Sequence, residues 1–159
     1  MIRYSYFSLV LLLTLLLPVG NDIMAADTTS AVNSSNAQVD WTQYDGQRVK
    51  GSNSVWIYLI LRGRLCLVPD PTTYLDLFVD WNGVSVNNYL VNNVPRGGEV
   101  SSGAVLAEDS GGLVYLVMDG KKLLIPDAPI FNQFYFSWNK IAKVPDAVMT
   151  SVPSGVQIY

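Results

Sequence analysis

Thirteen acidic and ten basic side chains are spread through 159 residues, and no histidine accompanies them. Without histidine the chain lacks the usual general base, Ser-His-Asp and Cys-His catalysis, and the commonest zinc ligand. A glycosidase-type acid pair would have to come from Asp76, Asp80, Glu99, Glu108 and Asp109, and their spacing singles out no two of them. No Asp-x-Asp-x-Asp-Gly loop suggests calcium. The pairs Gly97-Gly98 and Gly111-Gly112 lack the strand-to-helix setting and the lysine of a phosphate-binding loop. Cys66 is the sole cysteine, so no intrachain disulfide can form. The chemistry therefore reads as non-enzymatic, with no catalytic residue, no metal ligand and no cofactor.

What remains is aromatic and polar surface chemistry, and an internal repeat sorts it. Ile57–Asp70 lines up with Val114–Asp127 at a constant offset: Tyr58 meets Tyr115, Gly63 meets Gly120, Pro69 meets Pro126, and Trp81 meets Trp138. Gly46 meets Gly103 and Val49 meets Leu106. Near the end the register slips by one, so Pro95-Arg96-Gly97 matches Pro153-Ser154-Gly155. A residue type kept in both copies is most simply scaffold, whereas one present in a single copy is freer to bind. By this filter Cys66, which meets Leu123, is an inert core thiol. Asp70 and Asp127 are helix caps, and Trp81, Trp138, Tyr58 and Tyr115 are core. Trp56 meets Leu113 and Tyr89 meets Asp146; with Arg62, Arg96 and Glu99 of the first copy they form the candidate binding set, and Trp41 and Tyr44 precede it.

Each copy has the same grammar. An extended piece (Gln47–Lys50, Ala104–Ala107) leads to a strand (Val55–Leu61, Leu113–Met118) rich in β-branched and aromatic residues. The turns Arg62-Gly63 and Asp119-Gly120 predict hairpins, and Pro69 and Pro126 end the second strand of each. Asp70-Pro71 and Asp127-Ala128-Pro129 open short helices. Another extended piece and a one-turn helix (Asn88–Asn92, Asp146–Ser151) close the unit. The fold class is α+β: two tandem copies of a small β-meander-plus-helix unit, 45–101 and 102–159, packed with pseudo-two-fold symmetry to share a core.

The N-terminus reads as a secretory signal over residues 1–25. Arg3 supplies a positive start, Phe7–Leu17 an apolar run too short to span a bilayer, and Ile23-Met24-Ala25 a cleavage site. Residues 26–44 form a leader, whose first part is Thr, Ser, Asn and Ala and too poor in apolar surface to order itself. No second run can cross a membrane, so no span remains after signal removal. A formal net charge of −3 without a basic patch excludes nucleic acid as a partner.

The string Val114-Tyr115-Leu116-Val117-x-x-Gly120-Lys121-Lys122-x-x-Ile125-Pro126, then Phe131, Phe136-Ser137-Trp138 and Val152-Pro153-Ser154-Gly155, resembles a tandem repeat of exported bacterial proteins. Those proteins are often attached to cell-wall or glycan-active enzymes, or stand alone. Tyr135 stands where that repeat usually has Gly, and Arg62-Gly63-Arg64-Leu65-Cys66 departs from its two basic residues, so the first copy is the more divergent. The resemblance implies a non-catalytic accessory or surface role. The expected protein is a secreted, periplasmic or cell-surface module that binds an extracellular glycan or protein. Two other readings are self-assembly into a homo-oligomer through the end strands Gln47–Lys50 and Gln157–Tyr159, and an enzyme inhibitor acting through the loop Asn92–Ser101.

Overall fold

A computed structural model describes residues 38–159; the signal segment 1–25 and most of the leader lie outside the described residues. The last leader residues are structured, contrary to the expected boundary at 44. Trp41–Tyr44 form a 3-10 turn whose cap, Asp40, accepts from the Thr42 N–H. Trp41 and Tyr44 pack on an apolar cluster, so this short piece does find surface to bury.

Two sheets and four helices make a mixed α+β architecture. In the first sheet β1 (Arg48–Lys50), β2 (Ile57–Leu61) and β3 (Arg64–Val68) form an antiparallel meander. Helix α1 (Pro71–Leu77) follows, then β4 (Val84–Val86), α2 (Asn88–Asn93) and β5 (Arg96–Glu99). β4 adds parallel to β1 and β5 parallel to β3, so the sheet has five strands where the meander alone supplies three. The second sheet holds β6 (Val105–Glu108), β7 (Val114–Met118), β8 (Lys121–Ile125) and β9 (Ala142–Lys143), with α3 (Ala128–Gln133) and α4 (Asp146–Ser151) between and after them. Its order, β8-β7-β6-β9, repeats that of the first sheet without a fifth strand. A single bridge, Lys122 to Ser154, stands in β5's place.

Local chemistry explains the punctuation. Arg62 and Gly63, and likewise Asp119 and Gly120, all have positive φ, the type I′ hairpin geometry that matches strand twist. In the first hairpin the Asp45 carboxylate accepts from both turn N–H groups, at 2.8 and 2.7 Å. Asp70 and Asp127 cap α1 and α3 through the N–H groups of Thr73 and Ile130, at 2.8 Å each. The first β-strand of the hairpin starts at Ile57, not Val55; Val55 and Trp56 stand in solvent before it.

The register of β1 corrects the alignment by one residue. Arg48 faces Leu59 as Leu106 faces Leu116, so Arg48 and Leu106 are equivalent, and Val49 corresponds to Ala107. The same register brings Ser52 against Asn88 and Ser110 against Asp146.

One face of each sheet meets in a common core of Leu59, Leu61, Tyr74, Phe78, Leu106, Leu116, Phe131 and Phe136, among others. Phe78 and Phe136 form an antiparallel bridge at its middle, with rings 5.7 Å apart. Contacts run both ways across it. The Thr73 hydroxyl of α1 accepts from the Gly103 N–H at 3.0 Å, and Gln133 of α3 donates to the Asp45 carbonyl at 3.1 Å. Gly46, at φ +86, abuts Gln133 so closely that a Cβ would overlap its carbonyl. The opposite face of the first sheet is covered by α2 and the 3-10 turn over Val49, Ile60, Leu65, Leu90 and Val94.

These placements remove two expected features. β1 lies inside its sheet between β4 and β2, and the Ile158 side chain is fully buried with its N–H on the Leu124 carbonyl, so neither Gln47–Lys50 nor Gln157–Tyr159 is a free edge strand. Residues 92–101 are not a projecting loop, because β5 within them is laddered to β3. No helix among the described residues is long and apolar enough to cross a membrane.

Candidate functional site

Where β2 begins and α1 begins, the chain leaves a cleft of about 240 Å³. Three segments build it. Val55, Trp56 and Ile57 enter β2; Val68, Pro69, Asp70 and Pro71 pass from β3 into α1; Tyr74 and Trp81 form the rest of the wall. Pro69 cannot extend the ladder and Asp70 caps the helix, so the backbone turns sharply there and leaves the wall open.

Two tryptophans flank the opening. Trp56 is 54% exposed and Trp81 42%. The expectation that Trp81 and Trp138 are core is therefore overturned. Each packs one face on a helix aromatic and turns the rest to solvent. Trp81 stacks on buried Tyr74 at 3.9 Å and 6°, and Trp138 lies on Phe131 at 3.9 Å and 30°. A residue kept in both copies need not be interior, because half-packing on a recurring helix also repeats.

The charge in the cleft is a single carboxylate. Thr73's N–H, its hydroxyl and the Ser102 hydroxyl all donate to Asp70, and these bonds hold its pKa below the ordinary carboxylate range, the Thr73 N–H contributing most. Asp70 is thus ionised near neutral pH. No cation lines the cleft. Neither the Trp56 nor the Trp81 indole N–H has a hydrogen-bond partner among the described residues, so both can donate to a guest.

The equivalent place in the second sheet is a smaller cleft of about 160 Å³, lined by Gly112, Leu113, Val114, Ile125, Pro126, Asp127, Ala128, Phe131 and Trp138. Each of these answers a lining residue of the first cleft. The differences are chemical: Leu113 replaces Trp56, Phe131 replaces Tyr74, and the Trp138 N–H is committed to the Asn132 side-chain oxygen at 2.9 Å.

The remaining candidates lie elsewhere. Tyr89 is exposed on α2, beside Trp41 at 6.2 Å and beyond the covered face of the sheet. Arg62 occupies the hairpin turn at the far end of β2, roughly 20 Å of extended chain from Trp56. Arg96 starts β5 and its guanidinium lies 4.7 Å over Tyr58; Glu99 ends the same strand. Trp56 alone of the five belongs to the cleft. Tyr58 and Tyr115 are half-buried on the face away from the common core. Cys66 is buried, which pushes its thiol up. The Asp80 carboxylate accepts from the backbone and side chain of Asn82, and Asp109 accepts from Gly111, Leu113 and the Tyr115 hydroxyl, so both close local turns.

Sequence reasoning missed Trp81 and Asp70 as cleft residues. The available signal was their spacing from Trp56 across one hairpin and one helix, whose ends the Pro69 stop brings together. No protein-family model, curated protein or solved structure matches the chain significantly, and the chemistry of the cleft itself carries the functional reading.

Proposed function

We propose that this is an exported, non-enzymatic module that binds a neutral cell-surface glycan in the Trp56–Trp81 cleft. The observation that carries it is two half-exposed indoles flanking one ionised carboxylate, with no cation among the lining residues. Indole faces pack against the apolar C–H face of a pyranose, while their N–H groups and Asp70 meet its hydroxyls. An anionic polymer would be repelled by Asp70. The reciprocal contacts of Thr73 with Gly103 and of Gln133 with Asp45 support a pseudo-two-fold packing of two units, 45–101 and 102–159. In this reading the second cleft is the scaffold copy and the first, with its extra tryptophan, the specialised one.

The test is affinity electrophoresis in gels containing hydroxyethylcellulose or glycol chitin, both neutral, with polygalacturonate as the anionic control. Retardation by a neutral polymer that Trp56→Ala abolishes and Tyr89→Ala leaves intact supports the cleft. Binding lost with Tyr89→Ala but not with Trp56→Ala moves the site to α2. Failure to bind either neutral polymer overturns the glycan reading.

A further inference from the structure

Arg48 is only 3% exposed, and no carboxylate pairs with it among the described residues. Burying a guanidinium without a counter-charge is costly, and its Nε has no partner among the described residues. The second sheet fills the equivalent position with Leu106, which is fully buried in the common core. The scaffold therefore does not need a charge there. Something local to the first sheet retains it.

Every side-chain hydrogen bond of Arg48 among the described residues leads to the wall of the Trp56–Trp81 cleft. Its Nη1 donates to the Tyr74 hydroxyl at 2.5 Å and to the Asp80 carbonyl at 2.8 Å. The Tyr74 hydroxyl donates to the same carbonyl at 2.8 Å. The three groups close a triangle that joins the helix residue under Trp81 to the backbone just before Trp81. Tyr74 then stacks in parallel on the indole. Beyond Trp81 the loop is moulded to the guanidinium, since a Cβ on Gly83 would overlap Arg48 Nη2. The rings of Phe78 and Tyr135, 5.0 and 4.9 Å from the guanidinium carbon, shield the charge.

We infer that Arg48 is a positioning residue for the first cleft: by pinning Tyr74 and the Asp80 carbonyl it presents Trp81 to the ligand with its indole N–H free. This rests on reading that cleft as the glycan site. The second cleft holds its tryptophan by another means, the Trp138 N–H on Asn132, and so withdraws that donor from any guest.

The experiment uses the protein labelled with 5-fluorotryptophan, its four indole resonances assigned by single substitution, with Arg48→Leu (copying Leu106), Arg48→Lys and Tyr74→Phe (copying Phe131). The expected result for Arg48→Leu is a displaced and broadened Trp81 resonance, an unmoved Trp138 resonance, and at least a five-fold weaker retardation by the neutral polymer that retards the parent. Tyr74→Phe moves Trp81 in the same direction by less, and Arg48→Lys restores part of the effect. If Arg48→Leu does not fold, Tyr74→Phe decides. An unmoved Trp81 resonance in the folded variants, whatever the change in melting temperature, overturns the inference and makes Arg48 a packing element. A displaced Trp81 with no parental binding to hydroxyethylcellulose or glycol chitin sinks the glycan reading and leaves the positioning role supported.

Discussion

Trp56→Ala isolates the exposed aromatic that the first cleft has and the second lacks. Trp56 keeps 54% of its surface in solvent. A large aromatic side chain carries up to about 250 Å², so roughly 135 Å² is open to a guest. At about 25 cal/mol per Å², covering all of it is worth at most about 3 kcal/mol. Ligand ordering consumes part of this, so truncation should weaken binding roughly 10- to 100-fold, about 1.4 to 2.7 kcal/mol. The covered remainder, roughly 115 Å², sets a ceiling of about 3 kcal/mol on lost stability. Thermal unfolding by circular dichroism must therefore accompany the binding titration. Trp56→Leu copies Leu113, keeps much of the packing, and should bind with intermediate strength. Equal affinity of the parent and both folded variants for the neutral polymer would refute the claim that this indole contacts the ligand.

Trp138→Ala should lower the melting temperature, because the ring covers Phe131, yet leave retardation by the neutral polymer unchanged; a matching loss of binding would make the second cleft a site as well. Gly46→Ala should destabilise by roughly 2–4 kcal/mol in urea titration, since it adds both a strained φ and an overlap with Gln133; a neutral result would refute the close contact drawn there. The Asp70 carboxyl is held below its ordinary value of about 3.8, so its stabilisation is complete above that pH and fades as pH falls through it. Asp70→Asn should accordingly lower stability near neutral pH and flatten the decline between about pH 5 and pH 2, followed as the urea midpoint. Buried Cys66 should resist a thiol reagent in the folded protein and react on unfolding; rapid native labelling would contradict its burial.

Features written in adjacent residues were legible from the chain alone. The hairpins at Arg62-Gly63 and Asp119-Gly120, the caps at Asp70 and Asp127, and the strand stops at Pro69 and Pro126 each depend on a few consecutive backbone groups. So was the burial of Cys66, which aligns with Leu123. What required the tertiary structure was everything set by partners distant in sequence. β5 is a strand only because β3 offers it a ladder, and β1 is interior only because β4 returns beside it. The one-residue slip that pairs Arg48 with Leu106 is invisible until Leu59 and Leu116 supply the opposite register. Repetition marked Trp81 as scaffold, yet whether an indole is covered depends on what else reaches it, and here Tyr74 stacks on one face while 42% of the residue stays open. The sequence alone thus determined the repeated unit and its local turns. The tertiary structure decided which aromatic surfaces stay open and why a buried arginine stands behind one of them, because burial and register are sums over contacts that no local spacing encodes.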